Sequence, residues 1–365
     1  MFVLESYELA VAFCVVTMLC WGSWANTQKL AGKTWRFELF YWDYVIGVVL
    51  MSLIIAFTMG SNGTAGRGFL ADLRQADAAN LASAALGGVV FNLANILLVA
   101  AIAISGMSVA FPVGIGLALV LGVLINYVGG ERSGNATLLF LGVGLIMLAI
   151  ILDALAYRKV PGQQSSGGTK GLVLSVLCGI LMSTFYFLVA RSKAQVELAG
   201  TKELVSVTAQ HLHDGVLQAG KMTAYTANVV FALGILVSNF VFNTIIMIKP
   251  FTGKPVPLSD YFKGRLNDHL WGVVGGCIWG VGMGLNIAAA DVASPAVSYG
   301  LGQGATLVAG IWGVFIWREF RQAPPETNKL LALMFGGYVV GLGLVIAARL
   351  APVQDFLHQH LPWLR

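Results

Sequence analysis

From Ala78 to Gly130 the chain runs 53 residues without a single Asp, Glu, Lys or Arg. About 20 apolar residues suffice to cross the hydrocarbon core of a bilayer, so this stretch alone holds two membrane spans. An ordinary soluble domain is excluded by the rest of the chain as well. Its 365 residues are 57% apolar and 11% charged, against about 25% charged in soluble globular proteins.

Apolar segments bounded by charge clusters or Gly/Pro/Ser turns fall at 8–28, 37–59, 79–104, 107–128, 136–157, 171–190, 225–248, 269–290, 293–317 and 328–349. Irregular backbone in lipid leaves amides unpaired, so each segment is expected to be a helix and the fold an all-α integral membrane protein of ten transmembrane helices. Met1 to Phe13 holds Glu5 and Glu8 but no Lys or Arg. The basic region of a cleavable signal peptide is therefore missing, and the first span is expected to stay. The net charge of +5 sits in short loops, which points to orientation in the membrane rather than to nucleic acid. With the N-terminus outside, the inner loops carry 13 of the 22 Lys and Arg, including Lys29, Lys33, Arg36, Lys249 and Arg318. Both termini are expected outside a cytoplasmic membrane.

Sliding the chain along itself without a gap until Gly87-Gly88 falls on Gly275-Gly276 also lays Ala100-Ala101 on Ala288-Ala289 and Val109 on Val297. The same shift lays Gly114 and Gly116 on Gly302 and Gly304, Gly122 on Gly310 and Glu131 on Glu319, and twelve of 45 positions match. Spans three and four thus repeat as eight and nine, and the repeat unit is five spans. An odd number of crossings inserts the second copy upside down, the inverted-repeat design that places a site at the midplane between halves. The expected organisation is a first five-helix repeat over 1–157, a cytoplasmic linker over 158–170, a second repeat over 171–350 and a C-terminal tail over 351–365.

These residues resemble the ureide permease family of the drug/metabolite transporter superfamily. Gly22-Ser23-Trp24-Ala25 is similar to the family's Gly-Thr-Trp-Pro stretch, and Tyr41-Trp42-Asp43-Tyr44 and Ile54-Ile55-Ala56-Phe57-Thr58 follow in order. Gly87-Gly88-Val89-Val90 with Asn95, Gly106 with Ser108-Val109, Asn126-Tyr127, and Trp312-Gly313-Val314 before Glu319-Phe320-Arg321 continue it nearly end to end. A very short central linker and a long polar segment from Arg191 to Ala224 depart from the plant members. The resemblance implies proton-driven uptake of ureides and related nucleobases such as allantoin and uracil.

Polar side chains deep in a span cost free energy without partners, so they face the bundle interior and become candidates for substrate. Asn92 and Asn95 lie three apart in span three, and their amides match the alternating N–H and C=O of a ureide. The plainer reading is interhelical hydrogen bonding. Trp21, Trp24, Asn26 and Gln28 end span one, where an indole can stack on a flat ring or simply anchor the interface. Tyr186 beside Thr184 in span six, and Asn286, Tyr299 and Gln303 in the second half, complete the expected substrate set. Asp43, flanked by Tyr41 and Tyr44, is the expected proton-coupling carboxyl, with a pair to Lys29 or Arg36 as its plainer role. Asp153, Glu131, Glu319 and Asp291 read as capping or loop charges.

Gly272, Gly276, Gly280 and Gly284 recur every four residues in span eight, the spacing that lets helices approach closely. Gly300, Gly302 and Gly304 are expected to pack or to loosen span nine for gating, and Pro112 to kink span four. Gly162 to Thr169 lacks the Lys and the preceding strand of a phosphate-binding loop. His211-Leu-His213-Asp214 reads as a solvated loop, so neither a metal nor another cofactor is expected. An embedded enzyme lacks clustered catalytic groups at depth. The expected function is a secondary transporter of small neutral polar solutes, by alternating access, with a small-molecule substrate, the lipid bilayer and protons as partners. A sugar–proton symporter of the rhamnose or glucose/ribose type is the runner-up, a non-transporting scaffold the third class, and monomer and homodimer both stay open.

Overall fold

The structure is a computed structural model that describes residues 1–31, 35–130, 134–161, 169–201, 203–251 and 253–360. Lys33, Glu131 and residues 162–168 of the linker lie outside the described residues. Among those described, ten helices are long and apolar enough to span: Tyr7–Ala31, Phe37–Phe57, Ala78–Ser105, Phe111–Gly129 and Ala136–Tyr157, then Thr169–Ala190, Ala224–Ile248, Leu266–Ala293, Pro295–Ile316 and Thr327–Ala347. They are spans one to ten below. Ten crossings return the chain to its starting side, so both termini share one face, called here the terminal face.

Local sequence starts several spans where hydropathy alone is vague. Ser6, Asn135 and Thr223 each accept a bond from a backbone amide three residues on and so cap spans one, five and seven. Span nine is broken at Gln303-Gly304 between helices Pro295–Gly302 and Ala305–Ile311. Span four opens with a π-helical turn, Phe111–Ile115, that contains Pro112 and gives way to α-helix at Gly116. Pro112 thus sits in a widened turn, because its ring cannot follow the normal ladder.

The spans' packing partners come in pairs. Three lies on six and eight on one, three on seven and eight on two, four on six and nine on one, while two meets seven, four meets nine and five meets ten. Each of these nine partnerships maps onto another of them, or onto itself, when five is added to both numbers. The links into spans four and nine agree in backbone detail. Gly106 closes span three at φ 74, ψ 167, and Ser294, its counterpart in the repeat, closes span eight at φ 74, ψ 154. Those two links lie on opposite faces.

Outside the spans, the polar stretch between six and seven folds as a three-stranded antiparallel sheet. Strand β1, Val196–Leu198, lies between β2, Leu204–Val205, and β3, Gly215–Leu217. Arg67 ties it down by donating to the carbonyls of Leu217, Gln218 and Lys221 while pairing with the fully buried Asp72 at 2.8 Å. Asp72 in turn accepts the Thr223 amide that begins span seven.

Candidate functional site

A cavity of about 370 Å³ opens on the terminal face between the ends of spans four, six, eight and nine. Its wall carries Asn126, Arg191, Lys193, Lys221 and Asp291. Lys193 is only 7% exposed, and its ammonium is held by Asp291 at 2.6 Å and by the Ile287 carbonyl at 2.7 Å. Asn126 is 1% exposed; its nitrogen donates to the Gly122 carbonyl, while its Oδ1 is buried without a hydrogen-bond partner. That oxygen is a ready acceptor for a solute N–H. Burial, and then the neighbouring Arg191, hold the Lys221 ammonium below its ordinary pKa.

Beneath this vestibule lie most of the second-half residues expected from sequence. Asn286 is four residues below Ala290 and Tyr299 four below Pro295, about 6 Å deeper at 1.5 Å per helical residue. They are bonded to one another. The Tyr186 and Ser298 hydroxyls are 2.6 Å apart, Asn286 Nδ2 donates to the Ser298 carbonyl at 2.9 Å, and Tyr299 Oη lies 3.1 Å from the carbonyls of Ala118 and Met182. Gly302 lets this floor close: a Cβ there would sit 2.8 Å from the Trp21 ring and 3.1 Å from Asn286 Nδ2. Gly304 faces Met18, Gly300 faces Val123, and Gln303 is buried at the break in span nine.

The centre is filled by aromatic rings. Phe91 packs on Phe185 and Phe231 at centroid distances of 5.1 and 5.7 Å, and Trp279 on Trp21 and Tyr44 at 5.7 and 6.4 Å. Trp24 leans on Tyr44 at 4.6 Å. Trp21 and Trp24 are therefore part of the bundle's aromatic core in this state. Asn92 and Asn95 belong to a second polar knot. Tyr41 donates to Asn92 Oδ1 at 2.9 Å, Asn92 donates to Ser238 at 2.9 Å, and Asn95 donates to Tyr41 at 3.1 Å. These bonds join spans two, three and seven, the interhelical role weighed above.

The opposite face is drawn together where spans one and nine end. Asn26 accepts from Trp317 at 2.6 Å, Ser23 from Trp312 at 2.9 Å, and Lys29 pairs with Glu319 at 2.8 Å. Gln28 is half-buried in the same last turn. A smaller cavity of about 120 Å³ lies there, between spans one, four, five and nine. Asp43, 2% exposed in span two, meets neither Lys29 nor Arg36. It accepts from Tyr261 and lies 3.0 Å from His269 Nδ1. Burial, then the bond to that carboxylate, push the Tyr261 phenol above its ordinary range.

Sequence reasoning missed Asn126 Oδ1, the Lys193–Asp291 pair and the packing of rings around Phe91 and Trp279. The repeat carried a signal for the last, since it lays Phe91 on Trp279; nothing local marks Lys193 as the partner of Asp291.

Ten spans around a polar and aromatic centre, with a cavity toward each face, define a multi-pass membrane transporter. The ureide permease family model matches residues 40–166 and 169–348. The chain belongs to the ureide permease family. Ureide permeases 2 and 1 of Arabidopsis thaliana are each 24% identical to it, over 95% of this chain and 99% of their own length. A probable ureide permease A3 of Vigna unguiculata is 31% identical over 152 residues, 40% of each chain. A solved crystal structure superposes with TM-score 0.58 at 15% identity, covering 93% of this chain and 98% of that one, a likeness of fold alone.

Proposed function

We propose that this protein is a secondary transporter carrying small neutral polar solutes, ureides or nucleobases such as allantoin or uracil, by alternating access between two inverted five-span halves. The observation that carries the reading is that cavities of about 370 Å³ and about 120 Å³ open beside spans four and nine toward opposite faces. The larger borders spans four and nine beside six, the smaller the same two beside one, the counterpart of six after a five-span shift. Exchange of the two shapes is what rocking of inverted halves produces.

The solute class comes from the family and from the lining. Asn126 Oδ1 accepts an N–H, while Asn286, Ser298 and Tyr186 form amide and hydroxyl partners one turn below, where a bound solute replaces their mutual bonds. Protons are the proposed driving ion, because Asp43 and Asp153 are carboxyls buried within spans. With the termini outside a cytoplasmic membrane, as the Lys and Arg distribution favours, the larger cavity faces the solution from which solute is taken up.

Uptake of radiolabelled allantoin, uracil and rhamnose into vesicles holding the purified protein, with and without a pH gradient, tests this. Allantoin or uracil should accumulate and rhamnose should not. Failure of all three to accumulate, with none raising thermal stability, overturns the transport reading.

A further inference from the structure

Asp153 lies in span five, four residues before its end, and is 7% exposed. It lines the smaller cavity, and its Oδ1 is buried there without a hydrogen-bond partner. Every charged or titratable group facing it leaves that carboxyl uncompensated. Glu319, after span nine, is already held by Lys29 at 2.8 Å and by the Tyr157 hydroxyl at 2.7 Å, so the one ammonium lining the cavity among the described residues is spent on another carboxylate. Tyr157 on its own helix therefore donates elsewhere, the Tyr338 hydroxyl of span ten is buried without a hydrogen-bond partner and so does not donate to it, and span four brings Phe111 to the cavity. A carboxylate in a membrane interior needs a cation or a proton. Asp43 differs: both its oxygens have partners in His269, with Tyr261 on Oδ1, and these hold the segment Leu258–Lys263 against span two.

We propose that Asp153 carries the coupling proton, a role that rests on the transport reading above. With spans one and nine drawn together, as here, a proton from water is bonded to the Asp153 carboxyl; when they part, that O–H bond breaks and the proton passes to water on this face. With spans one and nine together, Lys29 is taken up by Glu319, which keeps a permanent cation from taking the proton's place. The cavity borders span nine beyond its break, through Thr306 and Trp312, so occupancy of Asp153 is read by the helix whose other half floors the vestibule.

The test uses the full chain in proteoliposomes, with radiolabelled uracil and allantoin, comparing wild type, Asp153→Asn and Asp153→Glu. At one proton per solute, each unit of imposed pH gradient supports about tenfold accumulation. Asp153→Asn should lose gradient-driven accumulation at least about tenfold more than it loses counterflow at equal pH, and Asp153→Glu should restore the gradient response. Asp153→Asn accumulating solute like wild type overturns the proposal. Infrared difference spectra judge it without transport: wild type should show a protonated carboxyl band that is absent in Asp153→Asn and displaced in Asp153→Glu. An unchanged band overturns the assignment of Asp153. Absence of counterflow in wild type counts instead against the transport reading, and the infrared result still decides Asp153.

Discussion

Phe91 and Trp279, counterparts in the internal repeat, stack with ring centroids 4.6 Å apart and planes at 34°. Each ring thus touches the residue that the internal sequence repeat lays on it. The surrounding rings follow suit. Phe91 meets rings of spans six and seven, and Trp279 meets rings of spans one and two. Truncating one ring leaves a void at the point where both halves lean. Trp279→Ala is expected to cost about 3–5 kcal/mol, while Trp279→Phe, which installs the first half's own residue, keeps most of that. Thermal unfolding in detergent separates them, and equal melting temperatures for the two variants would contradict a packed contact.

Hydropathy gave the spans within a few residues, since bilayer thickness imposes a length that the chain must meet. The ninth, expected at 293–317, is Pro295–Ile316, and the tenth, expected at 328–349, is Thr327–Ala347. The glycine spacing of span eight was legible too, because close helix contacts leave no room for a Cβ at positions such as Gly276. Partnerships were not. Asp43 in the first half finds Tyr261 and His269 far along the chain in the second, and Asn92 finds Ser238 across spans that any packing order could have joined. Asp153, read as a capping charge near a span end, is buried because span ten and the end of span nine close over it. No periodicity within span five announces that.

Glycine in span eight illustrates a constraint that sequence did locate. A Cβ on Gly276 would collide with the Tyr44 carbonyl and approach Val48 N at 2.8 Å; one on Gly88 would collide with the Phe231 carbonyl and approach Ile235 N at 2.8 Å. Both obstacles are main chain, so neither can rotate away. Gly276→Ala is expected to cost about 3 kcal/mol or more through forced separation of spans two and eight. Gly336→Ala in span ten, where nothing lies within 4 Å, should instead gain up to about 1 kcal/mol from helix propensity. Equal monodispersity and melting of the two variants would refute the close contact.

Ser294 holds a backbone conformation that glycine adopts freely and other residues adopt at a cost of about 1–3 kcal/mol. Its repeat counterpart is Gly106, so the second copy keeps the geometry without the permissive residue. The Ser294 hydroxyl offers partial compensation, since it accepts from Val297 N at 3.5 Å, a long capping bond. Ser294→Gly is therefore expected to raise stability by about 1 kcal/mol or less, the relief of strain exceeding the loss of a weak cap. Gly106→Ser, which puts a side chain on the same positive φ, should lower it. A destabilised Ser294→Gly would mean that the cap outweighs the strain.

The face away from the termini is held by three polar contacts between spans one and nine: Asn26 with Trp317, Ser23 with Trp312 and Lys29 with Glu319. Each is modest. A neutral hydrogen bond nets about 0.5–1.5 kcal/mol, and the Lys29–Glu319 pair, with Lys29 half exposed, adds less. Removing two bonds together by Ser23→Ala with Trp317→Phe should weaken closure by about 1–3 kcal/mol, enough to raise the population opened toward this face about fivefold to about a hundredfold. A cysteine at Ala309, which lines the smaller cavity, reports that population through its rate of modification by a water-soluble thiol reagent. The rate should rise in the double variant, and saturating solute should alter it if solute binding biases the two shapes. Equal rates with and without the two bonds would place the barrier elsewhere, in the rings that Phe91 and Trp279 bring together, and opening would then respond to Trp279→Ala instead.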